Sequence, residues 1–308
     1  MSTLFKHAVV ALDLSDASDL IVNCVSSFEK MGTEKITLVT VIPIPHEKKN
    51  EELDTTKEQE QLQEYKEQLE EKGFDVDVKI RSGIHFYPPT EILEAAEEAG
   101  GDFVVISNRG SSKVLELLSG GTAAELMKRS RFPVYLINIG VEKGKEDPNE
   151  RILKLPNPCE NALDHVLYAT DFSDTAYRTY KILRDMEGAG AVGRISIIHV
   201  QGHHAIALKD PVSRDALTEK NREQLDKIRN KFSDRIREDV EITITYGTPS
   251  REIVEKAEEL GATMIMMGSQ GEGYVQGEYI GGVSTNVTRQ SNLPVLLISA
   301  EEDYADSE

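Results

Sequence analysis

The sequence predicts an α/β protein made of two tandem doubly wound domains, each with a five-stranded parallel sheet. Three observations predict this. First, Ser107, Gly110, Gly120 and Pro133 are spaced by 3, 10 and 13 positions, and Gly268, Gly271, Gly281 and Pro294 repeat those spacings. Second, each series follows an apolar run, at 103–106 and 264–267, and leads into another, at 134–137 and 295–298. Third, short β-branched runs alternate with amphipathic stretches in the same order through both halves, an alternation that implies parallel pairing, right-handed crossovers and helices on both sheet faces.

The first half begins with a buried strand over 6–12, a short apolar run ending at Asp13. Ser15 or Asp16 then suits the N-cap of a helix running to about residue 31. A second strand over 35–41 is closed by Pro43 and Pro45. The stretch 47–72 is rich in Glu, Lys and Gln; Leu62, Tyr65 and Leu69 form one narrow stripe at helical spacing, and Gly73 stops it. A strand over 76–80, a helix over 90–99 ending at Gly100 and Gly101, a strand over 102–106, a helix over 122–130 and a strand over 134–139 complete the half.

The second half repeats this order, with strands near 164–170, 194–200, 240–245, 262–267 and 295–299 and helices near 174–187, 212–237, 249–260 and 283–291. Thr248 and Pro249 mark a start, threonine at the cap and proline at the first helical position. The predicted domains are therefore 1–141 and 161–300. The stretch 142–160 between them is charged, carries Pro148, Pro156 and Pro158, and reads as a linker, while 301–308 is an acidic tail expected to be disordered.

A length of 308 residues suits about two domains. The formal net charge of −19 argues against nonspecific binding to nucleic acid or to an anionic membrane surface. Cys24 and Cys159 stand in unrelated contexts and form no CxxC pair, so no disulfide framework and a reducing cytoplasm are expected. No charged-then-apolar leader opens the sequence, and no apolar run approaches the ~18 residues of a membrane span.

A strand entering a glycine-bearing loop that opens a helix suits phosphate, because free amides and the helix dipole both point at the anion. At this level the residues resemble the universal stress protein family in its tandem form. ATP-binding members of that family carry G-x2-G-x9-G-(S/T) after the fourth strand and an aspartate just after the first. Here Gly268, Gly271 and Gly281–Gly282 follow that pattern in the second half; Ser107, Gly110 and Gly120–Gly121 follow it in the first. Asp13 and Asp171 close the first strands, and Gly247, Thr248 and Pro249 with Ile253 and Ala257 match the family's third strand-to-helix connection. The resemblance covers both halves and leaves out only the linker and the tail.

The resemblance implies an adenine nucleotide alpha hydrolase-like fold, ATP as ligand with Mg²⁺ as its optional companion, and Val41 and Val200 packing near the base. It also implies antiparallel pairing of the fifth strands within the chain as an intramolecular pseudo-dimer, with homodimerisation of tandems a further option. Two departures bear on the ligand. The Ser/Thr after the last glycine is Gly121 in one half and Gly282 in the other, leaving Thr122 or Ser284 as nearby substitutes, and Ser107 stands where the family has glycine. Charge divides the halves the other way: Arg109, Ser111, Ser112 and Lys113 favour phosphate near the first loop, whereas Glu272 and Glu278 oppose it near the second.

Each candidate also has a structural reading. The glycines suit a tight strand-to-helix turn without ligand, and Asp13 and Asp171 suit either capping or a hydrogen bond to adenine or ribose at the carboxyl edge of the sheet, two readings that stand level. Ser119-Gly-Gly-Thr-Ala superficially resembles a PP-loop pyrophosphatase motif, but it does not follow the first strand and its aspartate is absent. His199, His203 and His204 lack accompanying carboxylates or cysteines and read as core or surface histidines. Met264, Met266 and Met267 are strand core. No GxSxG elbow, HExxH pair or defensible Ser-His-Asp set is present. The expectation is a non-catalytic, cytoplasmic, nucleotide-responsive stress protein that binds neither nucleic acid nor membrane. The alternatives are a nucleotide-free interaction module of the same fold and, behind it, a slow ATPase.

Overall fold

The computed structural model describes residues 5–44, 53–109, 121–143, 151–202, 211–271 and 280–299. The chain divides into two compact units, 3–160 and 161–308 with residues 1–2. The N-terminal unit has strands β1 (His7–Ala11), β2 (Lys35–Ile44), β3 (Asp75–Ile84), β4 (Phe103–Ser107) and β5 (Val134–Ile137), all parallel, in the order β3-β2-β1-β4-β5. Its helices are α1 (Asp16–Val25), α2 (Thr56–Glu70), α3 (Pro88–Ala99) and α4 (Thr122–Arg129). Phe103 anchors one part of the core, with Phe5 packed edge-on at 5.0 Å, while Phe28 meets Tyr135 at 4.8 Å.

Two elements differ from the sequence expectation for local reasons. Helix α1 ends at Val25, not near residue 31, because the hydroxyls of Ser26 and Ser27 donate to the carbonyls of Asn23 and Cys24. A 3-10 turn, Phe28–Met31, follows and closes at Gly32 with φ 90°. Strand β2 continues through Pro43 to Ile44. Pairing to β1 stops at Ala11–Val39, so Pro43, opposite Gly83 on β3, owes that side no amide.

The stretch expected to be a plain linker contains an antiparallel hairpin, β6 (Gly140–Lys143) and β7 (Arg151–Lys154). Beyond it lies a correction to the cysteine reading: Cys24 and Cys159 form a disulfide across a sequence separation of 135, their Cα atoms 5.0 Å apart. The amphipathic turn of α1 buries Cys24, and folding brings the distant Cys159 to the same place. Motif spacing carries no trace of such a pairing.

The C-terminal unit has parallel strands β8 (His165–Ala169), β9 (Arg194–Gln201), β10 (Glu241–Tyr246), β11 (Met264–Gly268) and β12 (Val295–Ile298), in the order β10-β9-β8-β11-β12. Its helices are α5 (Asp174–Gly188), α6 (Pro211–Arg229), α7 (Pro249–Glu259) and α8 (Gly282–Gln290). Helix α6 stops at Arg229, short of the expected 237. The buried carboxylate of Glu187 on α5 accepts from Ser233 N, Ser233 Oγ and Arg235, and satisfying it turns the chain away. Thr248 occupies the N-cap of α7 with Pro249 in the first turn, but its hydroxyl makes no cap bond.

At the amino edge of each sheet sits a duplicated buried pair. His7 Nε2 meets Thr37 Oγ1 at 2.8 Å, and His165 Nε2 meets Ser196 Oγ at 2.9 Å. Burial holds both imidazoles below their ordinary pKa, with Lys35 and Arg194 adding in the same direction.

Two outcomes follow from these contacts. Reducing the disulfide, or the Cys159→Ala change, should lower the unfolding free energy of the N-terminal unit by about 2–4 kcal/mol in urea titrations. For the histidines the folded pKa lies below the unfolded value of about 6.5, so the unfolded chain binds more protons in that window. Stability should therefore be complete above about pH 6.5 and decline as pH falls toward the folded values. A His7→Gln/His165→Gln double variant should lose that part of the slope; an unchanged slope would assign it to other groups.

Candidate functional site

A cavity of about 450 Å³ opens in the C-terminal unit where β8 and β11 adjoin and the strand order reverses. Open α/β sheets place ligands at this switch point, beyond the carboxyl ends of the strands. Its apolar walls include Ala169, Ile198, Val200, Pro249, Ile253 and Met267; Thr170, Asp171, Gln270 and Ser284 supply polar groups.

The first edge is the turn after β8. Asp171 Oδ1 accepts from Ser173 N at 3.1 Å and Ser173 Oγ at 2.6 Å, while Ser173 Oγ accepts from Ala176 N and caps α5. Phe172 between them is left-handed, φ 67°, a conformation that costs a bulky residue on the order of 1–3 kcal/mol. The N-terminal unit repeats the device: Asp13 Oδ1 accepts from Ser15 N at 3.2 Å and Ser15 Oγ at 2.7 Å, around Leu14 at φ 57°. The serines cap the helices, and one oxygen of each aspartate holds its serine in place. The other oxygen of Asp171 faces the glycine loop: a Cβ on Gly271 would lie 2.3 Å from Asp171 Oδ2. Only glycine permits this approach.

The second edge is the loop from β11 to α8. A Cβ at Gly268 would meet Thr175 Cγ2 at 3.0 Å and Gln270 O at 3.1 Å. Gly281 N donates to Ser269 O at 2.6 Å, and Gly281 is the N-cap of α8. Gly282 opens the helix, with nothing within 4 Å of where its Cβ would be. The first-turn amides of Gly282, Val283 and Ser284 have no partners within the helix, and these three residues border the cavity. Ser284 does not serve as the substitute hydroxyl donor expected from sequence: its buried Oγ donates to Gly268 O at 2.9 Å, locking the helix to the strand.

The first-half loop is used differently. Ser107 Oγ donates to Arg109 O, Arg109 Nε donates to Ile139 O at 2.7 Å, and Asn108 Oδ1 accepts from Ile139 N at 2.8 Å. Ser107, a departure from the glycine pattern, bonds within the loop, while Arg109, a phosphate-favouring cation, braces it with Asn108 against the chain after β5. Gly121 caps α4 with open space around it, and Thr122 begins the helix, exposed. Val41 is half-buried on β2, whereas its counterpart Val200 lines the cavity. Gly110, Gly120, Ser111, Ser112, Lys113, Glu272, Glu278, His203 and His204 lie outside the described residues.

His199 is part of the framework. Its Nδ1 donates to Thr170 O at 2.9 Å, its Nε2 accepts from Asn221 Nδ2 at 3.1 Å, and its ring lies 4.5 Å from that of Phe172. At the matching place in the other unit Thr40 Oγ1 donates to Leu12 O at 2.7 Å. Among the described residues no group of three His, Cys, Asp or Glu side chains could hold a metal ion. Among the described lining residues Asp171 is the only one that ionises. Sequence reasoning missed Thr170 and Gln270 as cavity residues; their only signal was adjacency to Asp171 and Gly271.

A duplicated doubly wound α/β unit, with a glycine-lined cavity at its switch point, defines a Rossmann-like tandem protein. The chain belongs to the universal stress protein family, whose sequence profile matches residues 4–138 and 162–299. A universal stress protein of Methanocaldococcus jannaschii is 29% identical over 152 residues, 43% of this chain and 93% of that protein. The crystal structure of a universal stress protein from Archaeoglobus fulgidus DSM 4304 is similar over 97% of this chain and 98% of its own, with 26% identity and a TM-score of 0.65. A universal stress protein structure from Pseudomonas aeruginosa UCBPP-PA14 shares the fold at 14% identity, covering 96% of this chain and 93% of its own with a TM-score of 0.63.

The close approach of Asp171 to Gly271 has a measurable consequence. Gly271→Ala should destabilise the C-terminal unit by about 1–3 kcal/mol in chemical denaturation, because the carboxylate must leave its turn or the loop must shift. An unchanged midpoint would show that the two groups are further apart in solution.

Proposed function

We propose that the C-terminal unit binds an adenine nucleotide, ATP with Mg²⁺, and that the chain is a non-catalytic, nucleotide-responsive regulator in the stress response. The observation that carries this reading is the cradle formed by Gly271, Gly281 and Gly282 against Asp171. First-turn amides and the α8 dipole would receive phosphate, and the slot between Val200, Pro249 and Ile253 suits a flat apolar base. The second oxygen of Asp171 would accept from an amino or ribose hydroxyl group. With no cation among the described lining residues, Mg²⁺ is the natural partner for a polyphosphate.

The non-catalytic part rests on the same surroundings. Asp171 is held in its turn through Oδ1, and His199 has both ring nitrogens engaged in the framework. The second reading, a nucleotide-free interaction module, draws on one specific fact: Gly282 carries no hydroxyl and that of Ser284 is committed to Gly268. A cytoplasmic location belongs to the proposal. Among the described residues no helix is long and apolar enough to cross a membrane. The Cys24–Cys159 bond, of a kind rare in reducing compartments, makes thiol labelling in cells the direct check on location.

Equilibrium dialysis with ATP, with and without Mg²⁺, should find saturable binding at the C-terminal unit. Gly271→Ala should weaken it by tenfold or more, and Gly282→Ser, which places a hydroxyl in open space, should tighten it by about tenfold through one added donor to phosphate. Absence of binding in all three proteins would leave the interaction-module reading standing. Steady phosphate release would overturn the non-catalytic part.

A further inference from the structure

Helix α5 carries a surface that the nucleotide reading does not use. Tyr177 is 45% exposed on a protein of net charge −19, and two ammonium groups lie over its ring: Lys181 Nζ at 4.8 Å and Lys231 Nζ at 5.8 Å from the centroid. Lys181 stands one turn along α5 from Tyr177, and Lys231 approaches from the segment after α6. Among the described residues neither lysine forms an ion pair. The neighbouring Arg184 does, with Asp185 at 3.1 Å. An exposed aromatic ring flanked by two cations is a small anion-attracting surface within an acidic molecule.

The chain holds a complementary segment close by. Ser299, the last described residue, has its carbonyl held by Arg178 Nη1 at 2.6 Å, and Arg178 adjoins Tyr177 in sequence. The nine residues 300–308 that follow contain five carboxylates, Glu301, Glu302, Asp303, Asp306 and Glu308, and one tyrosine, Tyr304. Nine extended residues reach up to about 30 Å. The stripe from Tyr177 to Arg184 spans only about 10 Å of helix. We propose that the acidic segment 300–308 docks on the Tyr177–Lys181–Lys231 surface of its own unit, its carboxylates pairing with the two ammonium groups and its tyrosine covering the Tyr177 ring. Tethering at Ser299 supplies a high effective concentration, so weak exposed pairs suffice.

Acetylation rates of Lys181 and Lys231, read by mass spectrometry in the full chain and in a chain ending at Ser299, test the proposal. Removing the segment should raise both rates about fivefold at low salt, the protection that two exposed ion pairs provide. The difference should vanish near about 0.5 M salt, and Lys6 should react equally in both proteins. A full-length Glu301→Gln/Glu302→Gln/Asp303→Asn variant should behave like the shortened chain, which separates charge pairing from a change in fold. Equal rates in the full and shortened chains would overturn the proposal. Protection that persists in the shortened chain and grows with protein concentration would assign the surface to a second copy instead.

Discussion

The carboxylate of Asp171 stands where two loops of the C-terminal unit meet, and each of its oxygens meets a different one. Oδ1 closes the turn after β8, holding Ser173 in capping position and Phe172 in a left-handed backbone. Oδ2 occupies the space that any side chain at position 271 would need. The entry of α5, the path of the glycine loop and the mouth of the cavity all depend on this one packing relation. Holding the capping serine and bordering the cavity are compatible because a carboxylate has two oxygens.

The two units show which parts of this arrangement chemistry can exchange. The carbonyl after the first strand is satisfied by a threonine hydroxyl in one unit and an imidazole in the other, Thr40 to Leu12 and His199 to Thr170. The amide of His7 donates to the carboxylate of Asp102, whereas that of His165 donates to the hydroxyl of Thr263. What persists is the hydrogen-bonding requirement, since a buried backbone group must find a partner whatever its identity. The left-handed residue after the aspartate persists too, filled by Leu14 in one unit and Phe172 in the other. Strain kept in both copies fits a functional edge.

Periodicity and spacing made the fold legible, because strand alternation and the doubled glycine series are local signals that survive without tertiary context. The site was legible in part. Gly268, Gly271, Gly281, Gly282, Asp171 and Val200, all named from the sequence, border one cavity. The roles of Ser284 and Ser107 were not legible, since a hydroxyl's partner depends on which carbonyl folding brings near. Helix ends depart from the apolar period where side chains compete with the helix ladder, at Ser26 and Ser27, or where a distant carboxylate, Glu187, captures the chain.

By itself the sequence determined two copies of a doubly wound α/β unit, the loops that bear glycine and the aspartates that precede the first helices. Only the tertiary structure decided that Cys24 and Cys159 are joined, that Gly271 is required by Asp171, and that the hydroxyl of Ser284 is held by the strand before it. The physical reason is the range of the interactions. Hydrophobic period and turn chemistry act over a few residues and are written locally. Disulfides, close approaches and hydrogen-bond partners join groups up to 135 positions apart and exist only once the sheet has brought them together.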